Sequence, residues 1–190
     1  MYGELTEKQQ ASILAATGRL NLWEGAIRSG KTIGSIIRWL EVLQTMPRNA
    51  GHHFAIGKTE RTLRRNVISV VQELVGSGNV RNLSESKGGG VSICGIPVLL
   101  AGANDLRAEE KIRGLTGASC YGDEAVLWPQ SVFQTAIGRL SVPGATFLGT
   151  TNPDGPHHWL KTDYIDRAGE LGLKLFHFDI DDNPFLDPAY

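Results

Sequence analysis

Short apolar runs bounded by Gly or Pro alternate along the chain with longer stretches in which apolar residues recur at helical spacing. This alternation builds a mainly parallel sheet flanked by helices, so it predicts an α/β fold. Strands are expected at Leu20 to Glu24, His53 to Gly57, Val98 to Gly102, Ser119 to Asp123, Ala145 to Thr150 and Lys174 to Asp179. Helices are expected at Thr6 to Ala16, Lys31 to Gln44, Thr59 to Val75 and Gln130 to Leu140, with a shorter one around His157 to Arg167. Thr6, followed three residues later by Gln9, reads as a capping box that opens the first helix. The polar, glycine-rich stretch Gly76 to Gly90 reads as a mobile loop leading into a hairpin that ends near Ile96 and Pro97. With no internal repeat and no long linker, one domain over residues 1–190 is expected. The acidic, proline-containing stretch Phe178 to Phe185 reads as its exit.

Composition narrows the classes without choosing among them. With 41% hydrophobic and 21% charged residues, the 190-residue chain has an ordinary globular make-up. Nineteen Lys and Arg against 20 Asp and Glu give a net charge of −1, which argues against a polybasic protein and confines any polyanion binding to a local patch. Cys94 and Cys120 are too few for a disulfide framework and sit in apolar stretches, which suits buried thiols in a reducing compartment. No apolar run approaches the roughly 18 residues of a membrane span, and Met1-Tyr2-Gly3-Glu4 lacks the regions of a signal peptide. A cytoplasmic protein without membrane contact is expected.

The chemistry begins at Gly25-Ala26-Ile27-Arg28-Ser29-Gly30-Lys31-Thr32, which fits G-x-x-x-x-G-K-[ST] between an expected strand and an expected helix. Glycines let the backbone curl so that successive N–H groups face a phosphate, and the helix that follows adds unpaired N–H groups and a positive dipole end. Lys31 would reach the β and γ oxygens of ATP, and the Thr32 hydroxyl would ligate Mg²⁺. The plain alternative is a glycine-rich turn with an exposed lysine.

Hydrolysis needs an acidic site as well, and Asp123-Glu124 supplies one at a strand end. Asp123 would hold Mg²⁺, while Glu124 would orient or deprotonate the attacking water. Ser119 and Gly122 are unusual in so buried a strand. After the next strand come Thr150-Thr151-Asn152-Pro153, a polar cluster placed to sense the γ-phosphate or, alternatively, a capped Asn-Pro turn.

Taken together these residues resemble the ATPase domain of phage terminase large subunits. The resemblance runs from Thr6-Glu7-Lys8-Gln9-Gln10 through Gly25 to Thr32, then Lys111-Ile112-Arg113-Gly114-Leu115-Thr116 leading to Asp123-Glu124, then Thr150 to Pro153, and finally Asp182-Asn183-Pro184. It implies an additional-strand, RecA-like P-loop NTPase fold with Glu124 as the catalytic carboxylate. It further implies that Thr150, Thr151 and Asn152 couple hydrolysis to DNA movement, and that Gln9 or Gln10 contacts adenine. The implied partners are double-stranded DNA, a portal protein, a small terminase subunit and further copies of the chain in a ring, in the host cytoplasm at the procapsid portal. Family members usually continue into an RNase H-type nuclease. Asp179, Asp181 and Asp182 have no second acidic cluster and make a poor two-metal site, so no nuclease activity is expected of these residues.

Two arginines are candidates for stabilising transition-state charge. Arg28 lies within the phosphate loop, where terminases often carry an arginine proposed to act in cis. Arg113 lies in a segment that resembles the place from which family members project an arginine into the next subunit's site. Lys58, Arg61, Arg64 and Arg65 would share a helix, with the three arginines on one face, open to DNA phosphates, to a neighbouring subunit or to solvent. His52-His53 and His157-His158 lack metal-ligand spacing. The same motifs would also serve a helicase-like or recombination motor, or a nucleotide-gated docking module.

Overall fold

The structure, a computed structural model, describes residues 4–84, 89–105, 108–152 and 155–184. Its elements run α1 Glu7–Ala15, β1 Leu20–Gly25, α2 Lys31–Thr45, β2 His52–Gly57, α3 Glu60–Leu63, α4 Ser69–Val75, β3 Val80–Asn82, β4 Val91–Ile93 and β5 Ile96–Gly102. They continue with α5 Ala108–Arg113, β6 Gly117–Gly122, α6 Gln130–Arg139, β7 Thr146–Thr151, α7 Ala168–Leu171 and β8 Leu173–Phe178. All six expected strands form, with ends displaced by no more than two residues. The Thr6–Gln9 capping box is present at α1.

Eight strands make one sheet in the order β3-β4-β5-β2-β6-β7-β1-β8. β2 and β5 through β8 join β1 in a parallel ladder, while β3 and β4 run antiparallel at one edge. β7 is inserted between β1 and β6, and the register aligns Gly122 with Gly149 and Trp23 with Thr150. The residues that follow β1, β6 and β7 therefore emerge at one level at the carboxyl end of the sheet.

Period-two alternation assigns the strand side chains to two cores. Trp23, Ala55, Tyr121 and Leu148 face the helical layer of Ile36, Trp39, Leu43, Leu63, Val67 and Val71. Leu22, Phe54, Ile56, Cys120 and Phe147 face Ile112, Trp128, Phe133 and Ala136 on the other side. Each such side chain removed from water contributes about 1.5–3 kcal/mol, which holds the strand ends in place below the site.

Ser119 has a clear role in this buried sheet. Its hydroxyl accepts from Trp39 Nε1 at 3.2 Å and meets His53 Nδ1 at 2.8 Å. Burial, with His52 adding to it, lowers the His53 pKa and keeps that ring neutral.

Four expectations need correction. The run Thr59 to Val75 is not a uniform helix, because residues Arg64–Ile68 form a π turn between α3 and α4. The expected helix at His157 to Arg167 likewise contains a π turn, Lys161–Ile165, with α7 beginning only at Ala168. The stretch Gly76 to Gly90, read as a loop, contains a short helical turn and β3, whose Val80 pairs with Ile93; residues 85–88 lie outside the described ones. Finally, Cys120 is buried but Cys94 is exposed. Cys94 and Gly95 form the two-residue turn between β4 and β5, with φ of 49° and 82°, and a turn with both residues left-handed points its side chains to solvent.

Candidate functional site

The loop Gly25–Thr32 leaves β1 and is seated against the end of β8. Ala26 N–H donates to Phe178 O at 3.0 Å, and a Cβ on Gly25 would fall 1.8 Å from that same oxygen. Only glycine permits so close an approach. Arg28 and Gly30 then adopt φ of 64° and 85°, which curls the loop into α2. Because α2 has no side-chain cap at Gly30, its first N–H groups remain available to an anion.

Lys31 is buried, and its ammonium donates across the loop to Ala26 O at 2.9 Å. Desolvation lowers its pKa, while the charges of Glu124 and Asp123 act in the opposite direction. The Ser29 hydroxyl is buried with no hydrogen-bond partner among the described residues. The loop therefore presents a partly desolvated cation and unsatisfied donors on one concave stretch of backbone, the combination that receives phosphate.

Two flanking segments hold this loop. Gln9 Nε2 donates to Gly30 O at 3.0 Å, whereas Gln10 Nε2 is exposed and donates to Leu5 O within its own helix. Of the two glutamines, α1 brings Gln9 to the loop. On the other flank, Asn183 Nδ2 donates to Arg28 O at 2.6 Å. The sequence marked Asn183 only as part of Asp-Asn-Pro; its partner 155 residues away carried no local signal.

Asp123 stands just beyond β6. Its N–H donates to Ile56 O at 2.8 Å and its carbonyl accepts from Trp128 Nε1 at 3.0 Å. Gly122 makes that arrangement possible, since a Cβ there would lie 2.7 Å from the Phe147 ring and 2.9 Å from Trp128. The buried carboxyl of Asp123 is pushed up to about 6, first by desolvation and then by the neighbouring charge of Glu124. Asn66, Lys31 and Arg65 act against that rise.

Glu124 takes a left-handed φ of 49°, an unfavourable conformation for a residue with a Cβ. Thr150 Oγ1 accepts from its N–H at 3.2 Å, and Asn152 Nδ2 reaches its carboxylate at 3.4 Å. Thr151 is buried at the end of β7, paired in register with Glu24. Pro153 lies outside the described residues. Backbone strain at an acidic residue beside a cation is characteristic of functional sites.

The structure thus gathers Gly25 to Thr32, Gln9, Asp123, Glu124, Thr150 and Asn152 at one end of the sheet. It does not bring Arg113 there. Arg113 closes α5, is exposed, and pairs with Glu109 at 3.0 Å. Its carbonyl accepts from Arg139 at the amino end of β6, and six strand residues, about 20 Å, separate that end from Asp123.

The expected face of three arginines is also revised. Arg64 Nη2 and Nε bind Glu60 at 2.9 and 3.0 Å and Nη1 binds Asn82 at 2.9 Å, while Arg65 Nε turns to Asn66 Oδ1 at 3.2 Å. The π turn shifts the helical phase on which that shared face depended. A cavity of about 460 Å³, lined by Met46, Arg48, His52 and Pro97, sits at the opposite end of the sheet and touches none of the gathered residues.

Neither a protein-family model nor a curated protein matches the sequence. Among solved structures, the large terminase from a thermophilic bacteriophage is 30% identical, with a TM-score of 0.84 over 98% of this chain. The complex of that terminase with ATP-gamma-S gives 29% identity and a TM-score of 0.80. The chain spans about half of that protein, 48% of its length. The large terminase ATPase domain of Thermus phage P74-26 shares the fold at 18% identity, with a TM-score of 0.61 over 92% of this chain and 80% of that one. Over nearly all of its length, the chain is similar in structure and sequence to the large terminase of a thermophilic bacteriophage.

Proposed function

We propose that this chain is an ATP-hydrolysing motor domain that powers translocation of double-stranded viral DNA into a procapsid. The observation that carries the reading is the convergence of Lys31, on its curled loop, with the buried Asp123 and the strained Glu124 at one end of the sheet. The large terminase of the thermophilic bacteriophage, solved with ADP and with ATP-gamma-S, supports a nucleotide as the ligand.

In this reading the loop N–H groups and Lys31 bind the β and γ phosphates, and Gln9, at the loop's edge, faces the base. Glu124 accepts a proton from the water that attacks the γ phosphorus, while the bond from that phosphorus to the bridging oxygen breaks and ADP leaves with the oxygen. Asn152 holds the Glu124 carboxylate and so links its orientation to the end of β7. Arg28 would steady developing charge from within its own loop. Arg113, at the far end of the sheet, can act only on the site of a neighbouring copy.

The donors fit Mg²⁺. Thr32 and Asp123 offer hard oxygens, and among the described residues no three His, Cys, Asp or Glu side chains form a cage, so phosphate oxygens and water would supply the remaining ligands. Asp123 is buried beside Glu124, and a bound cation would offset the charge that burial and this neighbour disfavour. Bound there, Mg²⁺ would neutralise charge on the β and γ oxygens.

A ring of copies at the portal, in the host cell and with a small terminase subunit, completes the proposal. ATPase specific activity measured across protein concentration, with duplex or single-stranded DNA added, tests it. Activity that climbs with concentration and responds to duplex supports the motor. Stimulation by single strands alone favours a helicase-like motor instead, and nucleotide binding without turnover in any assembly contradicts both.

A further inference from the structure

The helical run after β2 contains a π turn, Arg64–Ile68, in which the Ser69 N–H reaches back five residues to Arg64 O. Such turns hydrogen-bond less well than α-helix and persist mostly where an extra residue is needed at a site. Here the buried side chains Leu63, Val67, Ile68 and Val71 stay packed on the core on both sides of the insertion. Asn66, in the middle of the turn, is directed at the acidic strand.

Its amide is used at both ends. Nδ2 donates to Asp123 Oδ2 at 3.3 Å, and Oδ1 accepts from Arg65 Nε at 3.2 Å. Only one orientation of the amide serves both partners, because a flipped group would set oxygen against carboxylate and NH₂ against guanidinium. Trp128 and Ile56 restrain the backbone of Asp123 and not its carboxylate. Among the described residues, Asn66 provides the hydrogen bond that sets the carboxylate plane.

We infer that Asn66 is a positioning residue for the cation site: its amide occupies one oxygen of Asp123, leaves the other for a divalent cation, and is itself fixed by Arg65. The inference rests on the Mg²⁺-nucleotide reading above. Outer partners of a metal ligand typically change metal affinity by about 10- to 100-fold when removed.

The test is a Mg²⁺ titration of the protein with a fluorescent, non-hydrolysable ATP analogue, together with the affinity for the analogue in EDTA. Asn66→Ala is expected to raise the half-saturating Mg²⁺ concentration by about 10- to 100-fold with metal-free affinity unchanged. Arg65→Lys, which keeps the charge that acts on Asp123 and displaces the donor from Asn66, should move it in the same direction by less. Asp123→Asn, the reference, should abolish the Mg²⁺ response. If Asp123→Asn responds like wild type, the cation site itself is wrong. If Asp123→Asn loses the response and Asn66→Ala keeps it, the role of Asn66 is overturned and the site stands. An equal loss of metal-free affinity in Asn66→Ala would reduce Asn66 to a structural residue. Should Asn66→Ala fail to fold, Asn66→Ser, which lacks the amide donor, and Arg65→Lys decide the matter by the same criteria.

Discussion

At the carboxyl ends of β1, β6 and β7 the chain collects Lys31, Asp123, Glu124 and Asn152, while at the amino ends of β2 and β6 it collects His52, His53, Thr116 and Arg113. The first group is charged, partly desolvated and strained. Arg28 and Glu124 hold left-handed φ there, and Asp123 and Lys31 both have shifted pKa values. The second group holds no left-handed residue: His53, its pKa lowered by burial, meets Ser119, the His52 N–H donates to Thr116 O at 2.7 Å, and Arg113 pairs with Glu109 at the surface. One sheet thus concentrates left-handed backbone and partly desolvated charge at one of its ends, at some expense in stability.

Arg113→Ala gives the sharpest test of that division. Because its ion pair is exposed, the substitution should leave stability and nucleotide affinity nearly unchanged. If Arg113 completes a neighbouring site, the turnover of the assembled protein should fall by about 10³-fold or more. An unchanged rate at high protein concentration would remove Arg113 from the chemistry. Lys31→Ala, at the other end, should weaken ATP binding by about 100-fold or more, measured by equilibrium titration. Near-normal affinity would mean that the loop does not hold phosphate.

A smaller effect concerns the burden of the buried charge. The folded pKa of Asp123, about 6, lies above its ordinary 3.8, so the folded state binds more protons than the unfolded state between those values. Stability of the nucleotide-free protein therefore falls as pH rises through that window and stays lower above it. Asp123→Asn should raise the neutral-pH stability by on the order of 2–3 kcal/mol, several degrees in Tm, with the gain vanishing toward about pH 4. A lower Tm for this variant at neutral pH would contradict the strained picture of that end.

Much of this arrangement was legible in the residues. The spacing Gly25 to Thr32, the acidic pair after Tyr121-Gly122 and the apolar strand runs are local patterns, and local patterns survive folding. The unread parts depend on phase or distance. Asn66 gave no signal because the π turn inserts a residue and rotates everything beyond Leu63, which also undid the expected arginine face. Gln9 could be told from Gln10 only once α1 had docked beside Gly30, and Asn183 meets Arg28 across 155 residues of sequence. Ser119, which looked out of place in a buried strand, became intelligible when Trp39 and His53 closed around it.

If Glu124 activates water against a nucleotide that the loop holds independently, Glu124→Gln separates the two roles when ATP binding and single-turnover hydrolysis are assayed in one preparation. Binding should stay within about twofold of wild type while hydrolysis slows by about 10²- to 10⁴-fold. Hydrolysis at the wild-type rate would contradict that role for Glu124.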